Sequence, residues 1–179
     1  MRRLLNTLFV MTEDSYLSLE NGNIVVRQGD NTLGQIPLLT LENFAYTILA
    51  HDCASAFEAV GLDAYVGFLH SDRPGRPSLA LDLMEELRAI YADRFVLKLI
   101  NNRMVKPSDF EEQENGAALL NENGRKRFLQ EWQEKKREMI VHPFLEEKMA
   151  WGLIPYAQAL LLARHLRGDL EEYPALMWK

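Results

Sequence analysis

Three features of this 179-residue chain predict an α+β protein, mainly α, in which a short strand segment precedes a helical domain. Up to Leu41 the residues alternate or cluster as β-prone apolar side chains around a turn dipeptide, Asn21-Gly22. From there on, apolar residues recur at spacings of three, four and seven, the signature of buried helix faces. Gly61, Pro77 and Gly168 stand at the ends of those periodic stretches, where helices begin and stop. The expected division is a partial β-rich domain over 1–41 and an α-helical domain over 42–179.

Taken in order, Leu4–Val10 reads as a first strand, and Ser15–Glu20 alternates as a second. Asn21-Gly22 supplies a two-residue hairpin turn, because both positions tolerate positive φ. Asn23–Arg27 returns as the partner arm, and a second turn over Gly29–Gly34 leads into Gln35–Leu39. So few strands need a packed face to be stable. Phe44, Ile48, Leu49, Ala56 and Val60 then mark a long buried-type helix that Gly61 closes.

The next helix opens after Arg76-Pro77, with Ser78 as its expected N-cap, since the residue before a proline resists helical geometry. At about 100° per residue, Leu79, Leu83, Leu87 and Ile90 form its apolar face, and Asp82, Glu85, Glu86 and Ala89 an adjoining stripe. It is expected to run on to Ile100. Asn101–Asn123 is polar, and reads as loop plus a short helix around Ala117–Leu120. Arg125–Arg137 is a helix with Phe128, Leu129 and Trp132 on one side, broken by His142-Pro143. Leu153–Arg167 is the last helix, and Tyr173–Lys179 an apolar tail expected to dock. Trp132, Trp151 and Trp178 are expected in core or docking positions.

Composition narrows the function classes. A hydrophobic share of 47% and a charged share of 26% are those of an ordinary globular protein. No apolar run is long enough to span a bilayer, and Thr12-Glu-Asp follows the apolar start with no small-residue cleavage site, so neither a membrane anchor nor a signal peptide is expected. The single Cys53 excludes an internal disulfide and a multi-thiolate zinc site; it reads as a small buried residue, consistent with a cytoplasmic location. A net charge of −6 argues against a wholly basic nucleic-acid binder but not against a local patch. Arg125–Arg137 is such a patch, with six positive and two negative residues.

One set of candidate ligands stands out. Gly67-Phe-Leu-His70 places a histidine in a Gly/Pro-rich connection, and the helix after it carries Asp82, Glu85 and Glu86. Imidazole and carboxylates converging from separate segments can hold a divalent metal. Alone, His70 is equally a loop-end histidine bonded to backbone, and the three carboxylates equally a solvated face paired with Arg88. Arg73 and Arg76 serve either loop rigidity or phosphate binding. His51 and Asp52, mid-helix, read as structural.

The stretch Ala56-Phe-Glu-Ala-Val-Gly-Leu-Asp-Ala-Tyr-Val-Gly-Phe-Leu-His70, followed by Arg73-Pro-Gly-Arg-Pro-Ser-Leu-Ala-Leu-Asp-Leu-Met-Glu-Glu-Leu-Arg88, closely resembles the core of the Cas1 family of CRISPR adaptation endonucleases and integrases. Ile140–Lys148, Ile154–Gly168, Leu4–Val10 and Tyr16–Leu19 are similar to its type I-C branch. The resemblance implies a metal-dependent DNA endonuclease that inserts captured DNA into a CRISPR array, with Mg2+ or Mn2+, acting as a homodimer with the small Cas2 protein. By motif, His70 matches the family's second metal ligand, Glu85 its third and Asp82 an acidic neighbour. Arg73, Arg76, Arg125, Lys126 and Arg127 are the expected DNA contacts. The family's first ligand, a glutamate in an earlier helix, has no counterpart, because the chain passes from Ile36–Thr40 straight to Phe44–Ile48. The resemblance therefore leaves two expectations: an impaired nuclease, or an inactive remnant serving as a helical dimerisation or partner-binding module.

Overall fold

In the computed structural model, residues 15–28, 31–71, 73–114 and 117–176 are described. The expected strand Leu4–Val10 and Trp178 lie outside them. Three strands come first, β1 (Ser15–Glu20), β2 (Asn23–Gln28) and β3 (Asn31–Pro37), and then helix α1 (Leu38–Ala59). An α+β, mainly α architecture is what the structure shows, as the sequence predicts. The described residues form two compact units: residues up to Phe44 with Arg94–Trp132, and Ala45–Asp93 with Gln133–Lys179.

In the first unit, β1, β2 and β3 make an antiparallel sheet in sequence order. Asn21 and Gly22 have φ of 50° and 83°, the pair of left-handed residues that a tight hairpin of this twist requires. The register follows, Glu20 opposite Asn23 and Leu19 opposite Ile24. Ile24, Val25 and Ile36 are buried. Beyond α3 (Asp93–Asn101) come two short strands, β4 (Phe110–Glu112) and β5 (Ala118–Leu120), paired antiparallel. The helix expected around Ala117–Leu120 is thus a strand. Its backbone is taken up by β4, and a segment so short has too little intrinsic preference to resist that pairing.

Helix α4 (Glu122–Arg137) starts earlier than its charge pattern implies. Asn121 is the reason: its Oδ1 accepts the Gly124 N–H at 2.9 Å, which is an N-cap bond. Gly124 has to be glycine there, because a Cβ would sit 2.4 Å from the Asp109 carbonyl oxygen. The unit's aromatic core joins Phe44, Phe95, Phe128 and Trp132, with edge-on ring pairs at 4.9, 5.1 and 5.0 Å, the geometry favoured by ring quadrupoles.

In the second unit, α2 (Ser78–Leu87) continues through one π-type turn at Arg88–Ala92 into α3. Ser78 is the first helical residue and not the cap. Its side chain is buried and its hydroxyl donates back to the Ser71 carbonyl at 3.3 Å, holding the preceding loop. After α4, β6 (Met139–Val141) and β7 (Lys148–Ala150) form a hairpin that lies around His142-Pro143, and α5 (Ile154–Leu166) ends near Gly168 at φ 80°. Leu49, Cys53 and Phe57 of α1, Leu79, Leu83 and Leu87 of α2, and Ile154, Ala159 and Leu161 of α5 are buried. Burial, followed by the fields of Asp52 and Glu86, pushes the Cys53 thiol far up, so it is an inert core residue. Trp151 is buried beside Tyr91, ring centroids 5.1 Å apart, with the Lys135 ammonium 5.4 Å from its ring.

Candidate functional site

The site is built where the loop after α1 returns to α2. The Ala64 carbonyl accepts the N–H groups of Leu79 and Ala80 at 2.9 and 3.3 Å, closing the loop at its base. Gly67 lies so close to the helix start that a Cβ would be 2.6 Å from Ser78 Cβ and 2.7 Å from the His70 carbonyl oxygen. Asp82 then gathers the tip. Its Oδ2 accepts the Phe68 and Leu69 N–H groups at 2.6 and 3.0 Å, and its Oδ1 accepts the His70 N–H at 3.0 Å and the His70 Nδ1–H at 2.6 Å.

That last bond sets the chemistry of His70. A carboxylate at Nδ1 fixes the proton there and leaves Nε2 as the lone-pair nitrogen. This is how the second ring nitrogen of a metal-binding histidine is commonly held. Burial opposes ionisation of Asp82, but the hydrogen bonds from Leu69, the His70 ring, Phe68 and the His70 backbone outweigh it, so its carboxyl lies below its ordinary value.

Glu85, one turn on, faces a cavity of about 620 Å³ together with Asp82, and its carboxylate is bound by Arg88 at 2.9 Å. His70 is thus joined to Asp82, while Glu85 is joined to Arg88. Among the described residues no group of three or more His, Cys, Asp or Glu could hold a metal ion. The fit to a divalent ion is therefore partial: His70 Nε2 and the Glu85 carboxylate are donor types that suit such an ion, but the two side chains are held by different partners, Asp82 and Arg88, and two donors are fewer than it requires.

Glu86 has a role that its place on a charged stripe conceals. It turns inward, where its Oε1 accepts from Gln158 Nε2 and the Leu176 N–H, and its Oε2 accepts the Tyr173 hydroxyl at 2.9 Å. Gln158 Oε1 accepts His142 Nε2–H at 2.9 Å, while His142 Nδ1 accepts the Phe144 and Leu145 N–H groups. His142 and Gln158 are both fully buried. Burial pushes the Glu86 carboxyl up, and the hydrogen bonds from Leu176, Tyr173 and Gln158 draw it part of the way back. The only sequence signal was a Gln on the apolar face of α5 and a His before a proline.

The expected DNA contacts separate into spent and unspent cations. Arg76 donates to the Ser71 carbonyl, inside its own loop, and Arg73 is exposed. Arg127 is bound by Asp109 at 2.5 Å and by the Met104 carbonyl at 3.3 Å, whereas Arg125 and Lys126 are exposed. At the far end of α4, Lys135, Lys136 and Arg137 pair with Glu138, Asp52 and Glu134. The basic run thus presents less free charge than its composition implies. His51 is exposed and bonded to the Thr47 carbonyl.

The family model for CRISPR associated protein Cas1 matches residues 40–134. A Rhodospirillum rubrum relative, CRISPR-associated endonuclease Cas1 2, is 58% identical over 143 residues, which are 80% of this chain and 42% of that protein. Among solved structures, a casposase bound to integration product is 28% identical with a TM-score of 0.72, covering 82% of this chain and 42% of that one. A partial Cas6-RT-Cas1–Cas2 complex, 22% identical with a TM-score of 0.63 over 80% of this chain and 42% of that one, shares the fold. The chain spans less than half the length of three curated relatives it matches at 50–58% identity, 42%, 40% and 40%. On the match across residues 40–134 and the identity to its curated relatives, the chain belongs to the Cas1 family of CRISPR-associated proteins.

Proposed function

We propose that this chain is the DNA-processing part of a CRISPR adaptation endonuclease and integrase of type I-C character, and that its metal site is incomplete in the chain alone. The observation that carries the reading is the Asp82–His70 pair, which holds the imidazole with Nε2 as the free donor, in a member of a family whose curated relatives are named endonucleases. Mg2+ or Mn2+ would be held by His70 and Glu85, with manganese favoured by the one imidazole; such an ion polarises the scissile phosphate. Asp82 orients His70 and does not need to bind the ion. Arg73, Arg125 and Lys126 are the cations left to meet phosphates, with Arg76 and Arg127 shaping the surfaces beside them. A homodimer with Cas2, working on CRISPR repeat and captured DNA in the cytoplasm, is the assembly the family resemblance and the fold shared with the Cas1–Cas2 complex support. No described helix is long and apolar enough to cross a membrane.

A second reading, a DNA- or partner-binding module without catalysis of its own, is favoured by the lack of a three-ligand group among the described residues. Incubating the purified chain with Mn2+ and branched DNA, beside His70→Ala, tests both. The proposal expects binding that falls steeply with salt and slow cleavage that the substitution abolishes. Binding without cleavage establishes the second reading. Cleavage equal in the two proteins, or no DNA binding at all, overturns the first.

A further inference from the structure

Helix α5 ends at Leu166, and the chain turns back through an exposed connection around Gly168, φ 80°. Local bonds shape that connection: the His165 ring to the Leu170 carbonyl at 3.1 Å, and the Asp169 N–H to the Arg164 carbonyl at 2.9 Å. Beyond it, Tyr173 and Ala175 form one wall of the 620 Å³ cavity, which Phe57, Leu83 and Leu162 line from the helices. Asp82 and Glu85 face the same space.

What holds this wall is concentrated at one point. The Tyr173 hydroxyl and the Leu176 N–H both donate to Glu86, and Gln158 Nε2 donates to the Tyr173 oxygen at 2.7 Å and to the Pro174 carbonyl at 3.3 Å. Leu176 is the buried apolar anchor, at 5% exposure. A segment fixed by one carboxylate and one amide can let go as a unit, unlike a helix packed along its length. The amide is itself aimed by His142, whose Nε2–H occupies Gln158 Oε1 and so commits Nε2 of Gln158 to the segment.

We propose that Tyr173–Leu176 is a strap, hinged near Gly168, that closes the cavity beside Asp82 and Glu85, with Glu86 as its catch. Open, it exposes an apolar cleft flanked by carboxylates, large enough for a bulky planar or apolar group; closed, it covers that face of α2. That the strap governs access to the candidate site rests on the reading above. That it opens at Glu86 does not.

The test is hydrogen exchange on the wild-type chain, Glu86→Gln and Tyr173→Phe, without DNA or metal, with 1,8-ANS fluorescence reporting newly exposed apolar surface. Gln at 86 keeps one acceptor oxygen, so it can serve Gln158 and Leu176 or Tyr173 but not all three, and it turns an amide donor on the rest, with the charge lost; Phe at 173 removes one hydroxyl and leaves the packing, which keeps the test available if the first variant is globally weakened. Loss of a catch bond is expected to speed exchange at Leu176 by about tenfold, to raise ANS fluorescence, and to leave Leu83 and Leu162 protected as before. Unchanged exchange at Leu176 in both variants overturns the proposal. So does unchanged ANS fluorescence, or Leu83 and Leu162 losing protection in step with Leu176 in both. Because the readout needs neither cleavage nor DNA, its failure is separable from failure of the nuclease reading.

Discussion

Replacing Asp82 with alanine removes the acceptor for four hydrogen bonds, three from consecutive backbone N–H groups and one from the His70 ring. The Asp82 side chain is only 9% exposed, but Phe68 and Leu69 are 66% and 81% exposed, so the freed amides can reach water when the loop lifts. The appropriate figure is accordingly the net worth of each bond, about 0.5–1.5 kcal/mol, and not the full cost of stranding a buried donor. Four bonds give about 2–6 kcal/mol on that scale, reduced to about 2–4 kcal/mol because the donors share one short loop. At about 1.4 kcal/mol per factor of ten, the loop should open roughly a hundredfold more often. Amide exchange at Phe68, Leu69 and His70 measures this directly. Asp82→Asn, which retains one carbonyl oxygen, should fall between the two. Unchanged protection at residues 68–70 in Asp82→Ala, or an equal loss at Leu83 and Met84, would refute the assignment of Asp82 as the clamp of this loop.

Other outcomes follow from the same geometry. Gln158→Leu strands the His142 N–H and removes a donor from Glu86, and should cost about 2–4 kcal/mol in a denaturant titration; a change below 1 kcal/mol, on about that scale, would mean the network relaxes freely. Gly124→Ala places a methyl 2.4 Å from the Asp109 carbonyl oxygen and 2.9 Å from Leu120 Cδ2, so about 1–3 kcal/mol of overpacking should appear as a lowered Tm. Asp82 has a folded-state value below its ordinary 3.8, so its contribution is complete above 3.8 and is lost as pH falls through the lower folded value. The His70 loop resonances should therefore hold through 3.8 and shift only below it, while Asp82→Asn shows no such step. For DNA, Lys126→Ala should weaken binding and reduce the salt slope by about one, whereas Lys136→Ala, whose ammonium is bound by Asp52 at 2.8 Å, should leave the slope unchanged.

Much of the fold was legible because its signals are local. Asn21-Gly22, the apolar periods of α1 and α2, and Gly168 each report backbone geometry within a few residues of themselves. The β4–β5 and β6–β7 hairpins were not, since three-residue strands are defined by their partners. The start of α4 was hidden for a related reason: Asn121–Gly124 has the composition of a loop until Asn121 is seen bonding the Gly124 N–H. Within the site, the His70 motif and the Asp82 stripe meet through the His70 Nδ1–Asp82 bond. What sequence could not supply was direction. Helical spacing places Asp82, Glu85 and Glu86 on adjoining positions, yet Asp82 turns to the loop, Glu85 to Arg88 and Glu86 to the interior. Along Phe44–Val60, Leu49, Cys53, Ala56 and Phe57 are buried while Phe44, Ile48 and Val60 are half-buried, and large exposed apolar side chains occur at Tyr65, Val66, Phe68 and Leu69.

The metal proposal rests on His70 Nε2 and Glu85 as the two donors of an incomplete site. Titrating Mn2+ into isotope-labelled protein and following paramagnetic broadening checks this pair of donors residue by residue. Broadening is expected first at His70 and Glu85, at millimolar and not micromolar metal, and is lost in His70→Ala. Tight one-to-one binding at micromolar Mn2+, or broadening that begins elsewhere and survives His70→Ala, would contradict it.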